Sequence, residues 1–134
     1  MIDLQFINTN KILLKNTKDW VEKVINCENK KSGEIVFVFC NDNYLLDKNK
    51  QFLKHNTLTD VITFDYCKED VISGDILISV DRVKENAKIF NVTFMSELNR
   101  VIVHGLLHLL GYKDKTAEES EIMRSKENYY ISIK

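Results

Sequence analysis

Two histidines four residues apart, His104 and His108, with Asp114 six residues further on, form the group in this chain best suited to chemistry. On a helix, residues i and i+4 project from the same face one turn apart, so both imidazoles can reach one ion. Gly111 is placed to end that helix, and the reversed chain can swing the Asp114 carboxylate back to the same ion. Two nitrogens and one oxygen, with a position left for water, describe a catalytic rather than a structural zinc site. From Val101 to Leu110 every residue except the two histidines and Gly105 is Val, Ile or Leu. A helix apolar on nearly all faces is central and buried, and two polar rings placed in it need partners. One divalent metal ion, with zinc the first choice, satisfies both. The competing roles are satisfied core histidines and, for Asp114, a turn residue ahead of the last helix.

The elements that must position these residues follow from the pattern. The 134 residues suit one domain spanning 1–134, with one core. Ile2 to Ile7 alternates as a half-buried strand. The run Ile35-Val36-Phe37-Val38-Phe39, bounded by Ser32-Gly33 and Asn41-Asp42, is a buried strand over 34–40. Residues 60–66 and 74–79 read as two further strands joined as an antiparallel hairpin. Helices are expected over about 17–29, capped by Thr17, from Asn41 or Asp42 to about Lys54, and over about 81–90. The histidine helix begins near Ser96. Thr116 with Glu119 forms a capping box that opens the last helix. The class is α+β: a small mixed four-stranded sheet packed by about five helices, with the metal site on a central C-terminal helix.

Composition sets bounds. The hydrophobic fraction is 44% and net charge is −1, so no global steering toward nucleic acid is visible. A local basic cluster, Lys48, Lys50, Lys54 and His55, reads as a solvated helix face, with no role assigned to His55. Cys27, Cys40 and Cys67 are odd in number and widely spaced, which suits free thiols in a reducing compartment. With neither a membrane-span pattern nor a secretory signal pattern, the expectation is a cytoplasmic protein with no membrane partner.

The chain resembles the YbeY family of bacterial metal-dependent endoribonucleases. His104-Gly105 and His108-Leu-Leu-Gly111-Tyr112 match the family's H-G-x-x-H, L-x-G-Y-D-H hallmark. Thr59-Asp60-Val61-Ile62-Thr63-Phe64 is similar to its T-D-V-L-S-F strand, and Gly74-Asp75-Ile76-Leu77-Ile78-Ser79 to its G-D-I-x-I-S block. The blocks lie in family order and cover essentially the whole chain. Two positions depart: the third ligand, normally histidine, is Asp114, and the arginine of an aromatic-Arg pair is Leu53, followed by Lys54. Carboxylate oxygen remains an acceptable zinc ligand, though harder donors suit Mn or Fe better than a third imidazole would.

The resemblance implies a single-strand-specific endoribonuclease acting in small-subunit ribosomal RNA maturation and ribosome quality control, with single-stranded RNA and the small ribosomal subunit as partners and no DNA. His104, His108 and Asp114 would hold the metal, which would activate water against a phosphodiester. The general base is unassigned, and Asp60 is a candidate to orient a ligand. Two alternatives stand beside this: a ribosome-assembly factor that retains the metal but has little turnover, favoured by the missing arginine, and a zinc metallopeptidase. The peptidase motif needs Glu directly after the first histidine, where this chain has Gly105.

Overall fold

A computed structural model of the chain describes residues 1–55 and 57–134. The order of elements is β1 (Ile2–Phe6), α1 (Thr17–Cys27), β2 (Lys31–Cys40), α2 (Asp42–Leu53), β3 (Val61–Asp65), β4 (Val71–Ser79), α3 (Val80–Ile89), α4 (Phe94–Leu109) and α5 (Ala117–Ser132). The strands form one sheet in the order β1-β2-β4-β3. β1 and β4 run parallel to β2, and β3 pairs antiparallel with β4, as a short hairpin requires. The expected α+β class with a mixed four-stranded sheet and five helices is therefore what folds.

The two faces of the sheet are used differently because side chains alternate along each strand. Ile35, Phe37, Phe39, Ile76 and Ile78 join the large core with Trp20, Leu98, Ile102 and Leu106 of the helices. Val38, Cys40, Ile62 and Leu77 point the other way into a smaller cluster closed by Leu45 of α2. α4 lies at the centre of the first layer, packed on β3, β4, α3 and α5. Burying each of its large apolar side chains stabilises the fold by about 1.5–3 kcal/mol relative to exposure. That anchoring gives the histidines a rigid base.

Local chemistry adjusts several boundaries. The Ser32-Gly33 pair, expected to bound a strand, lies inside β2, where the pairing with β4 slips between Ser32 and Ile35. Thr17 does not cap α1: Asn16 occupies the cap at φ 59° without a side-chain bond, while Thr17 is the first helical residue and is buried. Asn41 caps α2 as anticipated, its side chain accepting from the Tyr44 N–H. α4 starts at Phe94, capped by Thr93 accepting from the Ser96 N–H. The Thr116–Glu119 capping box of α5 is complete. Trp20 donates its indole N–H to the Tyr130 carbonyl at 2.8 Å, tying α1 to α5. Among the described residues, no helix is long and apolar enough to cross a membrane.

Candidate metal centre

The three residues singled out by their spacing meet in space. His104 and His108 lie on one face of α4 with Nε2 atoms 3.0 Å apart. Oδ2 of Asp114 lies 3.2 Å from Nε2 of His104 and 3.4 Å from Nε2 of His108. What returns the aspartate is the end of α4. The N–H of Tyr112 bonds the Leu107 carbonyl and that of Gly111 the His108 carbonyl, both at 3.0 Å. This double bond pattern is a Schellman close, and it requires the positive φ of 102° that Gly111 adopts. The Tyr112 hydroxyl then donates to Glu28 at 2.6 Å, so this residue ties the loop to the end of α1. Ser120 donates to the Asp114 carbonyl at 3.0 Å.

The hydrogen bonds around the rings fix their tautomers. Nδ1 of His104 stands 2.7 Å from Oε2 of Glu127, and Nδ1 of His108 stands 3.0 Å from the Tyr112 carbonyl. Both partners only accept, so each neutral ring carries its proton on Nδ1 and turns a bare Nε2 inward. Two lone pairs and a carboxylate oxygen thus converge within 3.0–3.4 Å. Three acceptors so placed repel unless a cation or a proton lies between them. Ligands at zinc distances in a tetrahedral set would be separated by about 3.3 Å, close to what is seen. The cluster can hold a divalent metal ion.

Glu127, on α5, joins the cluster through His104, a contact that spacing on α4 could not reveal. It is 3% exposed, accepts from Arg100 at 2.9 Å and lies 3.5 Å from Arg124. Burial works against its charge, yet the bonds from His104 and Arg100 outweigh it and hold the carboxyl below the usual range. For His104, burial disfavours protonation, but the Glu127 bond and charge, with Asp114 and Asp60 adding, hold the ring above the usual imidazole range. A signal for Glu127 was present: with Met123 and Tyr130 it makes up the buried side of α5, an unusual setting for a carboxylate. Asp60, a candidate either to orient a ligand or to serve a structural role at the strand end, borders the cluster but bonds Asn86 at 3.4 Å and Thr59 at 3.5 Å. Glu127 takes the orienting role instead.

Two openings flank the cluster. One, of about 370 Å³, runs between β3 and the histidines and is bordered by Leu53, Thr59 and Thr63. The other, of about 290 Å³, places Arg100 and Arg124 beside His104. Leu53 lines the same opening as His104, His108 and Asp114, whereas Arg100 and Arg124 line the other. Glu97 lines the second opening, its carboxyl pushed up by burial and by the charge of Asp60. His55 is exposed beyond α2 and joins none of these groups.

Comparison with known proteins shows what the chain as a whole is similar to. The family described as Endoribonuclease YbeY matches residues 4–133. A protein of that name from Flavobacterium psychrophilum is 57% identical over 115 residues, which cover 86% of this chain and 82% of the relative. Another from Christiangramia forsetii is 46% identical over 134 residues, covering 98% and 94%. A solution structure of a Thermotoga maritima protein superposes with a TM-score of 0.72 at 32% identity, covering 98% of this chain and 87% of that one.

Proposed function

The chain belongs to the YbeY family of endoribonucleases, and from that premise we propose that it cuts single-stranded RNA by metal-assisted hydrolysis in maturation of small-subunit ribosomal RNA and in ribosome quality control. Its activity class is that of a nuclease hydrolase acting on RNA. The observation that carries the finer reading is the convergence of three potential ligand atoms from His104, His108 and Asp114 between two solvent openings. We assign those three as the metal ligands and zinc as the ion, within one functional domain over residues 1–134. Such an ion, when bound, supplies a Lewis acid that favours ionisation of water and offsets charge on a phosphodiester.

The chain's own residues do the rest. Glu127 holds the His104 ring by its Nδ1 proton, and the Tyr112 carbonyl does the same for His108, so neither ring can turn its lone pair away. Arg100 and Arg124 line one approach beside Asp60, Glu97 and Asp114, and both lie on the Glu127 carboxylate; their remaining guanidinium N–H groups are the donors there suited to a phosphate. No side chain is assigned as general base. The substrate implies a cytoplasmic protein working with the small ribosomal subunit, in keeping with its three free cysteines.

A peptidase is disfavoured by more than a missing base. A Cβ at Gly105 would come within 2.8 Å of Ile76 Cγ2 and 3.3 Å of Val61 Cγ2, so this face has no room for a glutamate. An assembly factor that keeps the metal with little turnover would share the same donor cluster, so cleavage is what separates that reading from the ribonuclease. The deciding experiment is cleavage of a single-stranded RNA with added zinc, comparing wild type with a His104→Ala/His108→Ala variant purified identically. Cleavage by wild type alone is expected. Equal cleavage by both, or by neither, overturns the proposal.

A further inference from the structure

On the α2 side of the sheet, away from the histidines, lies a second cavity of about 350 Å³, the size of a small-molecule site. Four aromatics stand in its walls above the aliphatic Val36, Val38 and Leu77: Tyr44 and Phe52 from α2, Phe64 from β3 and Tyr66 just after it. Phe52 and Tyr66 are 56% and 59% exposed. Phe52 meets Phe64 edge to face at 6.0 Å between centroids. The Lys48 ammonium stands 5.3 Å from the Tyr44 ring centroid and 5.5 Å from that of Phe52. Asp75 adds a carboxylate acceptor at the floor.

We infer that this groove is a second RNA subsite, which stacks one or two unpaired bases of a strand whose scissile phosphate lies at the His104–His108–Asp114 cluster. The inference rests on the ribonuclease reading above. Its occupant follows from the mixture of groups. An apolar helix laid here would bury Lys48 and Asp75 without partners, at a cost no apolar contact offsets. A nucleotide matches each group: a planar base for the rings, an anionic phosphate for the ammonium, and an exocyclic amine for Asp75.

Continuity with the metal site supports the same occupant. β3 is an edge strand, so a single strand's width separates the two cavities. Val61 and Thr63 border the histidine side, whereas Phe64 borders the aromatic side. On α2 the adjacent residues Phe52 and Leu53 line one cavity each. The ladder bonds of Asp60 with Ser79 and Tyr66 with Ser73 place the even-numbered residues of this strand against β4. By alternation, the backbone N–H groups of Val61 and Thr63 point outward over the edge that a crossing strand would touch. Backbone N–H groups there suit phosphate oxygens.

The test measures anisotropy of a fluorescein-labelled heptameric oligoadenylate with metal-free protein in EDTA, so that binding is read without cleavage. Steady-state cleavage of a longer single-stranded RNA with zinc is measured alongside. The variant is Phe52→Ala/Tyr66→Ala, both exposed, with melting curves to establish folding. Phe52→Tyr/Tyr66→Phe keeps the rings, and Tyr129→Ala removes an exposed aromatic elsewhere. The alanine pair should weaken binding by about tenfold or more, with the loss falling on KM, while the other two variants bind as wild type. If wild type cleaves RNA and the alanine pair binds equally well, the subsite is overturned and the ribonuclease reading stands. If wild type neither binds nor cleaves, both fall. If the alanine pair instead dissociates a wild-type dimer with RNA affinity unchanged, the groove belongs to a second copy of this chain and the subsite is overturned.

Discussion

Oε2 of Glu127 lies 2.7 Å from Nδ1 of His104, so a carboxylate on the last helix decides which nitrogen of a histidine on the preceding one faces the metal position. Glu127→Ala should therefore lower zinc affinity by about ten- to a hundredfold without removing a ligand. Glu127→Gln, which keeps an acceptor, should lose less. Competition against a chromophoric chelator measures both, and unchanged affinity in the alanine variant would reject the orienting role.

Asp114 is the oxygen donor of the set. Asp114→His should retain metal binding and raise preference for zinc over manganese, because a third imidazole is the softer ligand. Asp114→Ala should reduce zinc affinity more than Glu127→Ala does. Calorimetric titration with each metal gives the order directly.

The metal-free protein should show a stability maximum between the carboxylate and imidazole ranges. His104 is held above its ordinary value, so its contribution is complete below the unfolded pKa and fades as pH rises through the folded one. Glu127 is held below its ordinary value, so its contribution is present above the unfolded pKa and fades as pH falls through the folded one. Melting temperatures across pH 5–9 (roughly the span that crosses an imidazole pKa), taken with chelator, should decline on the alkaline side. His104→Ala should flatten that decline.

The three thiols should react unequally. Cys27 is exposed, whereas burial, with Asp81 and Asp42 nearby, pushes Cys40 up to about 12. Burial also raises Cys67, whose thiol donates to the Ser73 carbonyl at 3.4 Å. Iodoacetamide at neutral pH should thus give mainly one adduct, on Cys27, in the native protein, and three after unfolding. Early labelling of Cys40, read by peptide mass spectrometry, would contradict this packing.

Gly105 is needed for close approach of α4 to the sheet. Gly105→Ala should destabilise by about 1–3 kcal/mol, since its Cβ would press on Ile76 and Val61 across a well-packed layer. Denaturant unfolding measures the change. A neutral result would mean that the helix can shift without cost.

The sequence by itself determined the strands, the helices and the metal-ligand candidates, because these depend on short-range periodicity. Alternation set which strand residues face α4. The i, i+4 spacing put His104 and His108 on one face, and Gly111 supplied the positive φ that turns the chain back toward Asp114. Boundaries failed where tertiary pairing overrode a local signal: Ser32-Gly33 was drawn into β2 by its parallel partner β4, and Thr17 was buried instead of capping. Only the tertiary structure decided what surrounds the cluster. Glu127 is 23 residues from His104 along the chain, and no local pattern specifies that α5 packs it there rather than Asp60. The same holds for Phe52 and Tyr66, which share a groove because α2 covers only part of the sheet face beside β3. Contacts between elements depend on packing angles and layer order, which periodicity within any one element leaves undetermined.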